Sequence, residues 1–224
     1  MRNFDYTVGS LVPPDFELYS RVLHPAVRVT QTEKSIVETA VTWQEVADGN
    51  NAVIHQTVEW GSILAAGTKG AEDSGDSPLW DQAPDMGGLP AKQRSALAAV
   101  LEGFTSTPDD CWFGVWEGNS FHGVLPDGPR LHLPQRSMLL FHGPVHAALN
   151  QFQGEGPNIW WPRDRAWCVA TEVDLMSTYV GVSTDASMAI LANPALEVVG
   201  ARQGQRVTWD SDTINPLPEH PYRD

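Results

Sequence analysis

The sequence is poor in cysteine. Only Cys111 and Cys168 occur in 224 residues, so a framework of several disulfides, typical of small secreted domains, is excluded. Both cysteines stand beside tryptophan in apolar segments, where a thiol usually behaves as a small buried hydrophobe. A single disulfide between them stays an alternative if the two segments are neighbours.

Long apolar runs are also missing. No segment approaches the about 20 apolar residues of a membrane-spanning helix. The residues that follow Met1 contain no apolar core of signal-peptide length. The sequence therefore predicts a cytoplasmic protein without direct membrane contact.

Positive charge is scarce. The chain has 14 lysine and arginine residues against 28 aspartate and glutamate residues, which gives a formal net charge of −14. Such a surface repels nucleic-acid phosphates and anionic lipids, so neither is an expected partner. It attracts a basic protein or a cation. The alternative is that the acidity only keeps the protein in solution.

Several motifs of common enzymes and metal sites are absent. The chain has no glycine-rich phosphate loop with lysine, no Gly-x-Gly-x-x-Gly, no Gly-x-Ser-x-Gly and no Cys-x-x-Cys. These absences argue against nucleotide-dependent transferases, ordinary hydrolases and zinc ribbons, and no cofactor is predicted. An enzyme of a less common type stays open.

The sequence does contain a clear strand pair. From Ala166 to Asp174, bulky and β-branched side chains alternate with small and acidic ones, and an alternating pattern resumes from Ser177 to Val182. Two such runs joined by about four residues predict an antiparallel hairpin. Ahead of it, Trp160 and Trp161 precede a proline that favours extended backbone.

Helix signals occur elsewhere in the chain. The segment from Leu89 to Phe104 repeats apolar residues at helical spacing, and Thr42 with Glu45 fits a capping box at a second helix start. A short helix is predicted from Pro13 to about Leu23. Between Asn51 and Leu64 a strand is slightly favoured, while Cys111–Glu117 is typical of a buried strand.

The order of these segments predicts the fold class. No repeat and no clear linker divides the chain, so residues 1–224 are predicted to form one α+β domain. Its sheet is expected to be mainly antiparallel, with short helices packed on it. Residues 66–78 are rich in Gly, Ala, Asp and Ser and are predicted to form a mobile loop.

The first candidate for chemistry is a pair of acidic residues. Glu172 and Asp174 stand two apart on one strand face, with about 6.5–7 Å between their Cα atoms. Paired carboxylates can act as acid and base or hold a divalent cation. The alternative is two solvated charges where a strand runs into a turn.

The second candidate is a group of histidines. His142 and His146 have the His-x-x-x-His spacing of metal ligands on a helix, and His132 lies in a nearby strand pattern. Gly143 and Pro144 separate the first two, so His142 is expected to end a strand and His146 alone to be helical. These three residues are weak metal candidates, and no metal site is predicted.

The third candidate is a set of loop aromatics. Trp80, Trp160 and Trp161 stand close to prolines, where partial exposure and a role in binding are an alternative to burial. Arg163 and Asp164 follow directly and are included in the same predicted binding surface.

Three stretches carry a resemblance. The residues PNIWWPRDRAWCVATEVD at 157–174, TPDDCWFGVWEG at 107–118 and YSRVLHP at 19–25 resemble a group of uncharacterised actinobacterial proteins. The resemblance covers about half of the chain. It implies one shared architecture and an intracellular bacterial origin, and it implies no particular activity. In character, an acidic, tryptophan-rich α+β domain is also similar to toxin-immunity proteins of the SUKH type.

Two functions of different classes follow. The first is a non-catalytic intracellular domain that binds a basic protein through its acidic surface, as an immunity protein does. The alternative is a small metal-dependent or acid/base hydrolase that uses Glu172 and Asp174 with His142 or His146. The two are distinguished by whether these four side chains meet in one cleft.

Overall fold

The structure is a computed structural model that describes residues 5–32, 35–67, 79–118, 127–134, 136–152 and 156–219. These residues form an α+β fold with a mainly antiparallel sheet, as the sequence predicts. The strands are β1 (Leu18–Leu23), β2 (Ala26–Gln31), β3 (Ile36–Val41), β4 (Cys111–Trp116), β5 (Arg130–Leu133), β6 (Arg136–Gly143), β7 (Ile159–Pro162), β8 (Cys168–Ala170), β9 (Ser177–Val182) and β10 (Glu197–Ala201). The helices are α1 (Val8–Leu11), α2 (Trp43–Asn50), α3 (Trp60–Ala66), α4 (Ala91–Glu102) and α5 (Thr184–Leu191), with a 3-10 helix at Val145–Leu149.

Eight of the described strands build one sheet in the order β10-β1-β9-β8-β7-β4-β6-β5. Every neighbouring pair in it is antiparallel. The predicted hairpin is its β8–β9 unit, with Val169 opposite Val180. The strands β2 and β3 form a separate two-stranded ribbon, called the β2–β3 ribbon below.

Helices cover the first face of the sheet. Side chains at alternate strand positions, including Phe113, Trp160, Val169 and Val180, pack there against the buried sides of α4, α5 and the 3-10 helix. Trp160 is 1% exposed and lies 6.2 Å from Phe113 between ring centroids. The alternation of strand side chains thus supplies one half of the core and the helical stripes the other half.

The second face is covered by α1 and by the segment that follows β10. Tyr19, Ile159, Cys168 and Tyr179 pack there with apolar residues of α1 and of the segment after β10. The segments are joined by a backbone hydrogen bond from Val8 N to Gln205 O. A third cluster forms where α2 and α3 pack around the end of β1.

The two cysteines are free and buried on different faces of the sheet. Cys111 belongs to the first-face cluster and Cys168 to the second. Burial raises the pKa of each thiol to about 12. Both therefore behave as small apolar residues, as their sequence context indicates.

Two local predictions are wrong. Leu18–Leu23 is strand β1, where a helix from Pro13 to about Leu23 was expected. Because both faces of the sheet are covered here, five of its six residues are buried, and this pattern resembles a helical stripe in sequence. Asn51–Leu64, where a strand was slightly favoured, runs without a strand into α3.

The capping box and the long helix are confirmed. Thr42 Oγ1 accepts a hydrogen bond from Glu45 N, and the Glu45 carboxylate accepts one from Thr42 N, so α2 begins where the sequence predicts. The predicted loop at 66–78 lies outside the described residues except for Ala66 and Gly67. None of the described helices is long and apolar enough to cross a membrane.

Candidate functional site

The predicted acidic pair converges on one arginine. Arg136, at the start of β6, donates from Nε and Nη2 to Glu172 Oε1 over 3.1 and 2.7 Å, and from Nη2 to Asp174 Oδ2 over 3.2 Å. Its guanidinium also lies over the Trp116 ring, 4.9 Å from the centroid. Strand β8 ends at Ala170, so the two carboxylates follow the strand and do not extend it. The pair thus shares a cation that reduces its mutual repulsion.

These groups line a cavity of about 250 Å³. Its walls come from the segment before α1, the start of α3, the start of β6, the β8–β9 connection and the segment after β10. The charged lining residues are Glu59, Arg136, Glu172 and Asp174, and the aromatic ones are Tyr6, Trp60 and Trp209.

The aromatic walls differ in exposure. Trp60 is 5% exposed and packs on Trp43 and Trp80, with ring centroids 5.5 and 5.4 Å away. Tyr6 and Trp209 are 52% and 38% exposed. Tyr6 has φ 59°, in the left-handed region that a bulky residue rarely adopts. The cavity therefore combines one fixed ring with two rings that reach solvent.

Glu59, another acid of the cavity, is the counterion of a buried arginine. Arg21 on β1 is 1% exposed and lies 3.2 Å from Glu59 Oε1 through Nη2. It also donates to Ser177 Oγ and to the Val58 carbonyl, over 2.9 and 2.7 Å. A charge buried this deeply requires such partners, since removing it from water is costly.

The electrostatics of Glu59 are unusual for a paired carboxylate. Burial raises its pKa to about 7, even though Arg21 acts in the opposite direction, and the nearby Asp212 and Asp210 raise it further. A carboxyl group with a pKa near neutrality in a cavity is a recognised sign of a functional site.

Asp212 fixes the C-terminal segment against the start of α3. Its carboxylate accepts hydrogen bonds from Asn215 Nδ2 at 2.9 Å and from Glu59 N at 3.3 Å, and it lies 2.8 Å from His55 Nε2. Burial alone would raise the pKa of Asp212, but its hydrogen bonds hold that pKa below the usual value. The position of the Glu59 backbone thus depends on a carboxylate 153 residues away in sequence.

His24 forms a second buried polar group near Arg21. Its Nδ1 lies 2.6 Å from the Asp85 carbonyl, and its Nε2 lies 2.9 Å from Thr178 Oγ1. Nδ1 therefore carries the proton, and Nε2 accepts from the threonine hydroxyl. Burial lowers the pKa of His24 to about 4, and Arg21 lowers it too.

The three predicted histidine candidates lie in separate places. His142 is the last residue but one of β6 and its Nε2 lies 2.7 Å from Asp110 Oδ1, while His146 is exposed on the 3-10 helix. His132 sits on the edge strand β5 opposite Ser137. Among the described residues no group of three or more His, Cys, Asp or Glu side chains could hold a metal ion.

The acidic pair and His142 lie at opposite ends of β6. Arg136, which binds Glu172 and Asp174, is six residues from His142 on the same strand, and this corresponds to about 20 Å. The four side chains that the hydrolase hypothesis combines are therefore not in one cleft.

The predicted loop tryptophans lie in packed surroundings. Trp160 is in β7 and is a core residue, so its assignment to a binding surface is wrong. Trp161 on the same strand is partly buried in the second-face cluster, opposite Trp112. Trp80 is partly buried against Trp60. The proline after Trp161 ends a strand here and does not begin a loop.

Arg163 and Asp164 tie two loops together. Arg163 Nη1 donates to Asp110 Oδ2 over 3.0 Å, and its side chain is 74% exposed. Asp164 accepts hydrogen bonds from Ser106 N and Ser106 Oγ, both at 2.7 Å, and from Thr105 Oγ1. These contacts account for Asp164 as a structural residue, and they leave Arg163 accessible.

Sequence reasoning missed Glu59, Arg136 and Arg21. None of them belongs to a recognised motif. The one available signal was Arg21 itself, a charged residue inside an otherwise buried strand-like run from Leu18 to Leu23. A charge in such a run indicates a buried counterion elsewhere in the chain.

The described residues thus form an α+β protein with an eight-stranded antiparallel sheet. A scan against protein-family models and searches of curated proteins and of solved structures found no match.

Proposed function

We propose that the protein is a non-catalytic binding domain for a basic protein, and that strand β3 is a contact surface. The observation that carries the proposal is the exposure of β3 along five of its six residues. Ile36 and Val37 are 66% and 49% exposed. An exposed strand beside an open edge is the usual site for addition of a strand from a partner.

The backbone of β3 is oriented for this role. Val27 on β2 exchanges hydrogen bonds with Gln82, so its backbone groups point away from its partner Ala40 on β3. In an antiparallel ladder the neighbouring pairs alternate. Ile36, Glu38 and Ala40 therefore direct their N–H and C=O groups to the outer edge, and no described residue pairs with them there.

Charge indicates the kind of partner. Glu38 is exposed on β3, while Asp81 accepts a hydrogen bond from Val29 N on the opposite edge of the ribbon, beyond β2. Arg28, opposite Thr39, belongs to the other side of the ribbon. An added strand that places lysine or arginine beside Glu38 would gain from its carboxylate and from the net charge of −14.

A toxin-immunity role is one form of this function, since an immunity protein binds and neutralises a toxin. The proposal includes kinship with the actinobacterial group that carries the 157–174 stretch, and a cytoplasmic location. The acidic composition and the exposed β3 edge support the immunity role.

A peptide titration tests the proposal. Fluorescence anisotropy would compare a labelled nine-residue peptide of alternating lysine and valine with its glutamate–valine counterpart, at about 50 and about 500 mM salt. We expect the basic peptide to bind at low salt and to weaken as salt rises. Equal binding of the two peptides, or no binding of the basic one, contradicts the proposal.

Two variants at one position separate backbone from charge. Glu38→Pro removes an outward N–H without breaking the hydrogen bonds to β2. It should therefore lower the affinity for the basic peptide at least about tenfold. Glu38→Gln keeps the edge and should weaken it only about two- to fivefold. An unchanged affinity for Glu38→Pro contradicts strand addition. If the free protein forms dimers and Glu38→Pro abolishes them, the occupant of the edge is a second copy of this chain.

A second candidate function is an acid/base hydrolase, and the raised pKa of Glu59 favours it. Glu59 shares its cavity with Glu172 and Asp174, and two carboxyl groups in different surroundings can serve as acid and base. Assays with chromogenic ester and glycoside substrates test it. Turnover that Glu59→Gln removes and Asp185→Asn on α5 retains would support the enzyme over the binding domain.

A further inference from the structure

We infer that the cavity between Tyr6, Trp60 and Trp209 receives the guanidinium group of an arginine side chain. The inference rests on the proposed function for the source of that arginine, which is the basic partner. The size, the walls and the charges of the cavity support it.

The size of the cavity fits one side chain. Its volume of about 250 Å³ lies below the about 300–1,000 Å³ of pockets that enclose drug-sized ligands. A nucleotide or an oligosaccharide is therefore too large to be enclosed. A single long side chain that enters from solvent is of suitable size.

The walls of the cavity fit a flat cation. Trp60 supplies a fixed ring, and Trp209 and Tyr6 supply rings at the more exposed part of the lining. Aromatic faces attract cations, most strongly where water is excluded. A guanidinium is planar, stacks on such rings and is more weakly hydrated than an ammonium group.

The charges of the cavity also favour a cation. Three lining carboxylates, those of Glu59, Glu172 and Asp174, stand against two guanidinium groups, those of Arg136 and Arg21. One negative charge is left over when all three carboxylates are ionised, and an added guanidinium neutralises it. A guanidinium can also hold a carboxylate through two parallel hydrogen bonds.

Glu59 is the acid that gains most from such a ligand. It faces Arg21 of β1, Tyr179 of β9, and Asp210 and Asp212 of the C-terminal segment, and burial raises its pKa to about 7. A fraction of the protein molecules therefore carries this carboxyl group in its protonated form at neutral pH. A bound cation favours the ionised form, so binding should release a proton.

A matched set of probes tests the inference on the full chain. N-acetyl-arginine methylamide, its lysine analogue and its neutral citrulline analogue would each be titrated while NMR follows the indole signals of Trp60 and Trp209. We expect the arginine probe to bind with a dissociation constant on the order of 1 mM and the citrulline probe at least about tenfold more weakly.

Other outcomes overturn the inference. Citrulline that binds as tightly as arginine would show an apolar pocket without charge recognition. Lysine that binds as tightly as arginine would remove the guanidinium assignment. Failure of the arginine probe to shift either indole signal at about 50 mM, some fifty times the expected dissociation constant, would exclude the site.

Three variants locate the binding. Asp174→Asn changes a side chain that is 78% exposed, and it should weaken the arginine probe about two- to fivefold while the protein stays folded. Trp209→Ala should weaken it at least about threefold. Asp185→Asn, an exposed acid on α5, is the matched control and should leave the affinity unchanged. A loss as large in Asp185→Asn as in Asp174→Asn would show nonspecific attraction.

Failure of this inference and failure of the proposed function give different results. If the arginine probe does not bind but the basic peptide still requires the β3 edge, only the cavity inference fails. If the probe binds and the basic peptide does not, the cavity is a cation site and the proposed function fails.

Discussion

Two groups of charges in this molecule have similar chemistry and opposite surroundings. The Arg21–Glu59 pair is buried, with side chains 1% and 16% exposed. In the group formed by Asp110, His142 and Arg163, the side chains are 30%, 49% and 74% exposed. Each group joins a carboxylate to a cation over about 3 Å.

The carboxylates of the two groups respond in opposite directions. Hydrogen bonds from His142 and Arg163 hold the pKa of Asp110 below its usual value. Burial raises the pKa of Glu59 to about 7 although an arginine lies beside it. The difference shows that loss of water can outweigh a nearby cation and reverse the direction in which the pKa of a paired carboxylate moves.

The largest expected effect comes from breaking the buried pair. Arg21→Met removes its hydrogen bonds to Ser177, Val58 and Glu59, and its contacts with the Trp43 and Tyr179 rings. We expect the free energy of unfolding to fall by about 3–5 kcal/mol, measured by urea denaturation. A loss below about 1 kcal/mol would show that the buried pair is not needed for stability.

The next effect is on the pH dependence of stability. Glu59 binds its proton more tightly when folded, so its contribution is complete below pH 4.5 and is lost as the pH rises through about 7. His24 binds its proton less tightly when folded, so its contribution is complete above pH 6.5 and is lost as the pH falls through about 4. Each amounts to about 3 kcal/mol, and the two oppose each other between pH 4.5 and 6.5.

Single variants should reveal these opposing contributions. The stability of Glu59→Gln should fall as the pH drops from 6.5 to 4.5, because of the two opposing contributions only that of His24 is left. The stability of His24→Asn should rise over the same interval, because only that of Glu59 is left. The measurement is urea denaturation at several pH values for each variant and for the parent. Identical pH profiles in all three proteins would contradict the assignment.

A smaller effect is expected for Arg136, the cavity arginine whose side chain is 25% exposed. Arg136→Ala removes the hydrogen bonds to Glu172 and Asp174 and the contact with the Trp116 ring. We expect a loss of about 1–2 kcal/mol in the free energy of unfolding. Arg130→Ala, which affects a pair with Glu117 on the edge strand, is the control and should lose less.

The smallest effect belongs to the exposed group. Arg163→Ala removes one contact of a side chain that is 74% exposed. Exposed ion pairs contribute little in water, so the midpoint of urea denaturation should not change measurably. A shift as large as that of Arg136→Ala would mean that exposure does not separate the two groups.

The predictable part of the fold follows from local signals. The capping box of α2, the apolar repeat of α4 and the alternation in β8 and β9 each act within a few residues, so the sequence reveals them. β1 was mistaken for a helix because a strand buried on both faces loses its period of two. The β2–β3 ribbon has no counterpart among the sequence predictions, although Val27 and Val29 alternate with Arg28 and Thr30 in β2.

The predictable part of the candidate site is smaller. Glu172 and Asp174 were identified as an acidic pair, and both line the cavity. Their partner Arg136 lies 36 and 38 residues away in sequence, and the contact from Glu59 to Arg21 spans 38 residues. Such contacts are created by the tertiary packing of strands and connecting segments, which is not visible in any short segment.

Amide hydrogen exchange along β3 tests the central claim most directly. Exchange would be followed by NMR with and without the lysine–valine peptide. If a basic segment adds to the ribbon, the outward amides of Glu38 and Ala40 should be slowed, while Val37 and Thr39, already paired with β2, should change little. Unchanged exchange at Glu38 and Ala40 in the presence of bound peptide would contradict the claim and place the contact elsewhere on the molecule.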